Sequence, residues 1–328
     1  MSSNRTITIS STPWPIRGSF TISRGSKTEA VVLNVYIEED GIKAQGECVP
    51  YPRYGESVAS VTAQIQAIQP ALESGMTRAE LQETMPAGAA RFAVDAALWD
   101  LEAKKSGKRA WEIAGIPMAP AMTVYTLSLD TPEKMELDAR DNLDKPVLKL
   151  KLGGTGDLER VAAVRKGHPT SRIVVDANEA WSKEVYEALV PELQKLGVEM
   201  IEQPFPAGDD EILKDLDRPI TICADESCHD RKSLPALVGK YDMINIKLDK
   251  TGGLTEALAM KKEAEALGFE IMTGCMLGSS LAMAPAMVVA QGSQLVDLDA
   301  PLLLAEDCQP GLVFTGVEIS PPEKELWG

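Results

Sequence analysis

Residues 147–152 read VLKLKL, which sets Lys149 and Lys151 one residue apart inside an apolar run. Side chains on a strand alternate faces with a period of two, so both ammonium groups point the same way. An amphipathic strand with that face in water is the simplest account, and the rest of the chain argues against it. Asp176 in RIVVDAN, Glu202 in VEMIEQP and Asp225 in ITICADES stand near the ends of three further β-rich runs. Lys247 stands near the end of MINIKLD, and Asp297 and Asp299 near the end of LVDLDAP. Three converging carboxylates repel one another unless a hard cation with oxygen ligands holds them. Mg²⁺ suits a site with few protein ligands and open positions for water or substrate. A carboxylate chelated to such an ion has an acidified α-carbon. With Lys151 on one side and Lys247 on the other, one lysine removes the α-proton and the other returns it on the opposite face. Lys149, on the same face as Lys151 but deeper, would hold the negative oxygen. Desolvation and the metal charge are expected to lower a lysine pKa towards the range of a general base, with Asp225 and Glu226 opposing that shift.

This chemistry needs elements that bring the strand ends together. Eight β-rich runs recur from residue 123 onward: TVYTLSL, VLKLKL, RIVVDAN, VEMIEQP, ITICADES, MINIKLD, EIMTGCM and LVDLDAP. One residue near the end of each gives Thr126, Lys151, Asp176, Glu202, Asp225, Lys247, Thr273 and Asp297, at intervals of 22–26 residues. That interval holds one strand, one helix and two loops. DLERVAAVRKG, SKEVYEALVPELQKLG and LTEALAMKKEAEALG have the apolar spacing of helices. Alternating strands and helices demand a parallel sheet, and eight strands favour a closed barrel over an open doubly wound sheet. A barrel gathers its functional groups at the C-terminal strand ends, where these residues stand. After the eighth run, LLLAEDCQPGLVFTGVEISPP is rich in turn residues. The expected α/β fold is therefore a modified TIM barrel, (β/α)7β, over residues 119–304. Residues 1–118 read as an α+β capping domain, with a meander of ITIS, VVLNVYIEED and GIKAQGECV turning at Glu39-Asp40-Gly41. Helical patterns follow it, and the tail from 305 to 328 is expected to pack on this domain. The loops PYPRYGES and SRGSK have no evident structural task, and Arg53 and Tyr54 in the first stay open between structural and functional roles.

Composition narrows the choice of function. The net charge of −16 disfavours a phosphate-binding surface, so neither nucleic acid nor an anionic membrane is an expected partner. No apolar run reaches membrane-spanning length, and the opening residues lack the apolar core of a signal peptide. The five cysteines are scattered without metal-type spacing, which fits reduced thiols in a cytoplasmic protein. With only His168 and His229, a histidine-rich zinc site is excluded.

LKLKLGG, VVDANEAW, MIEQP, CADES and NIKLDKTGG, in that order and spacing, resemble the enolase superfamily, muconate-lactonizing subgroup. The resemblance spans nearly the whole chain. VDLDAPLLLAED, WPIRGSFTISRGS, ECVPYPRYGES and MPAGAARFAVDAALWDL resemble the dipeptide epimerases more narrowly. This resemblance implies one Mg²⁺ on Asp176, Glu202 and Asp225, with Lys151 and Lys247 as the acid/base pair and Lys149 assisting at the carboxylate. It implies Asp297 and Asp299 on the substrate's α-ammonium, Arg24 on a glutamyl side chain, and Thr126 on the peptide. Cys275 and Met276 form an apolar wall in GCMLGSS at the seventh strand. The activity implied is interconversion of L-Ala-L-Glu and L-Ala-D-Glu in murein peptide recycling. A lyase of the same fold, such as an o-succinylbenzoate synthase or a cycloisomerase, uses the same lysines and metal. Asp297-x-Asp299 argues against it, because those substrates carry no ammonium. An epimerase of other dipeptides and a homo-oligomer both stay open.

Overall fold

A computed structural model describes residues 5–328, so the first four residues of the expected capping domain lie outside the described residues. Three antiparallel strands come first: β1 (Arg5–Ile22), β2 (Gly25–Glu39) and β3 (Ile42–Cys48). Asp40 and Gly41 join β2 to β3 with φ of 52° and 81°. A two-residue hairpin matching the strand twist needs both central residues left-handed, which is why Asp-Gly stands there. The helices α1 (Val58–Glu73), α2 (Arg78–Thr84), α3 (Ala89–Ser106) and α4 (Ala110–Ala114) follow. Ser57 and Thr77 start α1 and α2 by accepting from the backbone amides of Ser60 and Glu80. α3 is buried along most of its length. It meets β3 so closely that a Cβ at Gly46 would overlap the backbone of Ala93 and Ala97.

After the short strand β4 (Ala121–Met122) come eight parallel strands. They are β5 (Tyr125–Leu127), β6 (Val147–Lys151), β7 (Arg172–Asp176), β8 (Val198–Glu202), β9 (Thr221–Ala224), β10 (Met243–Lys247), β11 (Glu270–Gly274) and β12 (Leu295–Val296). Each neighbours the next in chain order. The Val124 amide donates to the Val296 carbonyl at 2.9 Å, which ties the first strand to the last. Val124, Val147, Val174, Met200, Cys223, Met243, Met272 and Leu295, one residue from each strand or its flank, form a buried cluster of their own. That apolar layer is the floor of the barrel. Two residues further along each strand lies the next inward layer: Thr126, Lys149, Asp176, Glu202, Asp225, Asn245, Gly274 and Asp297. A Cβ at Gly274 would overlap the Asn245 carboxamide, which fills that space. Thr273, taken from sequence as the strand-end residue, points away from this layer, and its hydroxyl pairs with Ser293 Oγ at 2.8 Å.

α5 (Pro132–Asp141), α6 (Asp157–Gly167) and α7 (Lys183–Lys195) fill the first three crossovers. The fourth departs from the seven-helix expectation, because Glu211–Lys214 makes only a single 3-10 turn. The preceding PFPAGDD run, with two prolines and a glycine, cannot sustain a helix. The fifth is also short, a 3-10 turn at Arg231–Ser233 leading into the four-residue α8 (Leu234–Leu237). α9 (Leu248–Thr251) and α10 (Leu254–Ala266) form the sixth crossover and α11 (Ser280–Ala290) the seventh, with α12 (Ala300–Leu303) after β12. β13 (Phe314–Thr315) and β14 (Glu318–Ile319) pair with β4. The C-terminal segment returns to α3 and α4. The Trp327 indole donates to the Ala96 carbonyl at 2.9 Å, and Arg109 donates to the carbonyls of Pro322, Trp327 and Gly328. No helix among the described residues is long and apolar enough to cross a membrane.

Candidate active site

Parallel pairing writes the order of charges around the barrel mouth. β6 and β7 set Lys151 opposite Asp176, and β7 and β8 set Asp176 opposite Glu202. Lys151 donates to Asp176 Oδ2 at 2.6 Å. Lys247 donates to Asp225 Oδ2 at 2.6 Å and lies 4.0 Å from Glu202 Oε1. β6 and β10 stand four strands apart in an eight-strand order, so these two lysines rise from opposite walls. Lys149 is 1% exposed and sits lower. Its ammonium lies 2.5 Å from Glu202 Oε2, 2.6 Å from Asp297 Oδ2 and 3.5 Å from Asp176 Oδ2.

The expected carboxylate trio is thus assembled, and in this arrangement each member is held by an ammonium group. Among the described residues no three His, Cys, Asp or Glu groups converge tightly enough to hold an ion. The donor set still fits a hard cation. Asp176, Glu202 and Asp225 are all buried at adjacent strand ends. The buried oxygens Asn178 Oδ1 and Glu226 Oε2, just after β7 and β9, and Asn245 Oδ1 on the neighbouring β10, have no donor among the described residues. A site this rich in oxygen acceptors is the environment that Mg²⁺ takes.

Lys247 and Lys149 do not follow the sequence expectation of a lowered pKa. Burial acts in that direction on Lys247, but Asp225 and Glu202 outweigh it and hold the ammonium well above the usual amine range. Burial is likewise outweighed at Lys149 by Asp297, Glu202 and Asp176. The physical reason is that their partners are ionised carboxylates at hydrogen-bond distance, where Coulomb attraction in a poorly solvated site exceeds the desolvation penalty. Burial and the charge of Asp297 push Asp299 up to about 7.

Above the charges lies a cavity of about 880 Å³. Arg24, Thr126, Lys151, Lys247, Cys275 and Met276 line it, as do Asp225, Asp297 and Asp299, while Lys149, Asp176 and Glu202 lie beneath it. Asp299 Oδ2 accepts the Thr126 amide at 2.6 Å, which anchors the eighth strand end to the first. Arg24 is at the tip of the β1–β2 hairpin and is already engaged. It donates to Glu226 Oε1 at 2.8 Å, to Glu179 Oε2 at 3.1 Å and to the Asn178 carbonyl at 3.1 Å. Arg53 grips the same Glu179 at 2.7 and 2.9 Å. Both capping loops therefore latch onto the barrel mouth. Tyr54 packs edge-on against His229 at 4.8 Å between ring centroids, and His229 is half-buried. A second cavity of about 1140 Å³ lies beyond Arg53, Tyr54 and Glu56 and touches none of Lys149, Lys151 or Lys247.

Sequence reasoning missed the residues that hold the ligands in place. Lys250 donates to Asp225 Oδ1 and to the Asp225 carbonyl, both at 2.6 Å. It reaches them because α9 turns the chain back directly after Lys247, and the only signal was its place in NIKLDKTGG. The Asn245 side-chain Nδ2 donates to Glu202 Oε1 at 2.7 Å. Gln203 sits in left-handed backbone at φ 37° and accepts the amides of Asp225 and Ser227 at 2.9 and 3.1 Å. A non-glycine residue at positive φ costs free energy, and here it turns the carboxamide into the loop that carries Asp225.

Two family models match: the mandelate racemase / muconate lactonizing enzyme N-terminal domain over residues 4–115, and the enolase C-terminal domain-like model over 134–323. The chain is 48% identical to the L-Ala-D/L-Glu epimerase of Escherichia coli K12, over 96% of this chain and 99% of that one. It is 43% identical to an N-acetyl-D-glutamate racemase of Pseudoalteromonas sp., over 90% of this chain and 95% of the other. A crystal structure of an Agrobacterium tumefaciens enolase family member, with sodium and L-Ala-L-Glu bound, superposes with a TM-score of 0.97. That protein is 52% identical, and the match covers 99% of this chain and 100% of that one. The dipeptide epimerase of Enterococcus faecalis V583, crystallised with Mg and L-Leu-L-Tyr, gives 0.91 at 29% identity, with 98% of each chain covered. With both domains matched and the lysines and carboxylates at the strand ends, the chain belongs to the mandelate racemase / muconate lactonizing enzyme family of the enolase superfamily.

Proposed function

We propose that this chain is a Mg²⁺-dependent dipeptide epimerase that interconverts L-Ala-L-Glu and L-Ala-D-Glu. The observation that carries the reading is the pair Lys151 and Lys247 on opposite walls of one buried mouth, each 2.6 Å from a carboxylate of the intervening trio. Asp176, Glu202 and Asp225 would hold the ion, which when bound supplies the charge that acidifies the α-carbon of a carboxylate substrate. Lys151 and Lys247 take and return the α-proton on its two faces, one accepting while the other donates. Lys149 donates to the substrate carboxylate from below. Asp297 and Asp299 accept from the α-ammonium, and Arg24 meets the glutamyl carboxylate by exchanging it for Glu226. Thr126, Cys275 and Met276 line the remaining space. The Ala-Glu names of the Escherichia coli and Agrobacterium tumefaciens proteins support this choice of dipeptide.

The name of the Pseudoalteromonas relative favours a second reading, racemisation of an N-acylated glutamate. An amide nitrogen offers no charge to Asp297 and Asp299, which is why the free dipeptide is preferred. The same proposal divides the chain into a capping domain to residue 118 with the tail from 305, and a barrel over 119–304. It sets the enzyme in the cytoplasm, in murein peptide recycling, a setting that suits five free cysteines. The test is incubation of the protein with L-Ala-L-Glu or N-acetyl-L-glutamate and Mg²⁺ in D₂O, followed by mass spectrometry. One deuterium at the glutamyl α-carbon with appearance of the D-epimer is expected for the dipeptide. Exchange of N-acetylglutamate alone would overturn the dipeptide reading. Full turnover after thorough metal stripping would overturn the Mg²⁺ assignment.

A further inference from the structure

The apolar wall of the pocket is tied to the capping domain by a contact that the chemistry above does not use. Cys275, Met276 and Leu277 line the cavity, and the turn that carries them ends at Ser279, the N-cap of α11. Glu47, in β3, reaches this turn from the other domain. Ser279 donates its amide to Glu47 Oε1 at 2.8 Å and its hydroxyl to Oε2 at 2.7 Å. Asn34 of β2 donates to the same Oε2 at 3.1 Å. Glu47 is 1% exposed, so each of these bonds is made out of water. Two residues on, Val49 packs against Met276 and Val32, and its amide donates to Asp249 Oδ1 at 2.7 Å. The fit leaves no slack. A Cβ at Gly278 would meet Val49 Cγ2 at 3.0 Å and Glu47 Oε1 at 3.2 Å.

Which part of a substrate this wall would face follows from its place in the barrel. Cys275 follows β11 directly, and β12 beside it carries the proposed ammonium anchors, the Asp297 amide donating to the Thr273 carbonyl at 2.8 Å. Arg24 lies on the other side, against the loops after β7 and β9. The wall therefore adjoins the first residue of a dipeptide and not its glutamyl end.

We propose that Glu47 is a positioning residue: it fixes the Cys275–Leu277 wall against the capping sheet and so limits the size of the substrate's N-terminal side chain. This rests on the dipeptide reading above. The test measures kcat and KM for L-Ala-L-Glu and L-Leu-L-Glu with the full-length protein, Glu47→Ala, Glu47→Gln and Gly278→Ala. Glu47→Ala releases the wall, and Gly278→Ala wedges it away while leaving Glu47 in place. In both, the preference for Ala-Glu over Leu-Glu should fall by about tenfold, the scale on which an apolar pocket reads a few methylenes. The change should come through KM, with kcat for Ala-Glu close to that of the parent. Glu47→Gln keeps an acceptor for the Ser279 amide and gains a donor for its hydroxyl, and the Asn34 carboxamide can turn over to accept from the new amide while donating to the Thr12 hydroxyl, so it should restore the parent preference. An unchanged preference in both alanine variants overturns the proposal, as does a glutamine variant as relaxed as Glu47→Ala. If Glu47→Ala does not fold, Gly278→Ala decides alone. A parent protein that epimerises neither dipeptide overturns the functional reading, and this inference with it, whereas a parent selective for Ala-Glu beside equally selective variants overturns this inference only.

Discussion

Two layers of the same barrel, one side chain apart along each strand, obey opposite rules. The floor holds Val124, Val147, Val174, Met200, Cys223, Met243, Met272 and Leu295, with no charge at all. The layer above holds Lys149, Asp176, Glu202, Asp225 and Asp297 in the same inward direction, all nearly or fully buried. Apolar burial in the floor is non-directional and stabilises by area removed from water, so it tolerates any side chains that fill the space. Charges in the mouth are stable only because each has an opposite charge at hydrogen-bond distance, and that arrangement is specific down to the atom. One fold thus separates a layer that holds the barrel shut from a layer that is held by it. The lesson is that burial alone says nothing about role, and partner chemistry decides it.

The comparison is tested most severely in the mouth. Lys151→Ala and Lys247→Ala should each lower kcat/KM for epimerisation by roughly 10²- to 10⁴-fold, the range for loss of a general acid/base. One variant should still exchange the α-proton of a single epimer in D₂O, since the remaining lysine reaches one face. Near-parental epimerisation rates in both would remove the lysines from the chemistry. In the floor the opposite outcome is expected. Met200→Ala should destabilise the fold by about 2–5 kcal/mol through lost burial and a cavity, with kcat nearly unchanged in the folded fraction. Denaturant unfolding beside steady-state kinetics checks this, and a variant that keeps its stability but loses its rate would erase the distinction between layers.

Smaller effects belong to the rim. Arg24→Met should weaken turnover of Ala-Glu relative to Ala-Leu by about 1.5–3 kcal/mol, the scale of a hydrogen bond to a charged group. An unchanged ratio of kcat/KM would take Arg24 out of substrate recognition. The smallest effect expected is on stability against pH. Burial pushes Glu47 up to about 7 and Asp249 up to about 8. Both carboxyls thus bind their protons more tightly folded than unfolded. Their contribution is fully present below the unfolded carboxyl range, near pH 4, and falls as pH rises towards 7 for Glu47 and 8 for Asp249. The unfolding midpoint should decline across that window, and Glu47→Gln should flatten part of the slope. A midpoint that rises over the same window in the parent protein would contradict the assignment.

Much of this architecture was legible in the residues. The recurring strands, the Lys149-x-Lys151 pair and the Asp176, Glu202 and Asp225 trio were readable because strand alternation and strand-end clustering are periodic properties. The fourth crossover was not, because Pro204, Pro206 and Gly208 break a helix without saying what replaces it. Thr273 was misplaced by a single residue, enough to put it on the wrong face of its strand. The state of Lys149 and Lys247 was missed for a different reason: a pKa depends on the distances to several charges at once, and their carboxylate partners Asp176, Glu202, Asp225 and Asp297 come from four strand ends.

What the sequence by itself determined is therefore the set of groups and their order around the barrel, because both follow from spacing along one chain. Only the tertiary structure decided who pairs with whom. Arg24 meets Glu226 across 202 residues, Lys149 meets Asp297 across 148, and Glu47 meets Ser279 across 232. Such contacts are set when the barrel closes and the capping sheet settles on its mouth. At separations this long no local propensity specifies a partner, and the Coulomb and hydrogen-bond terms that hold the site exist only once water has left it.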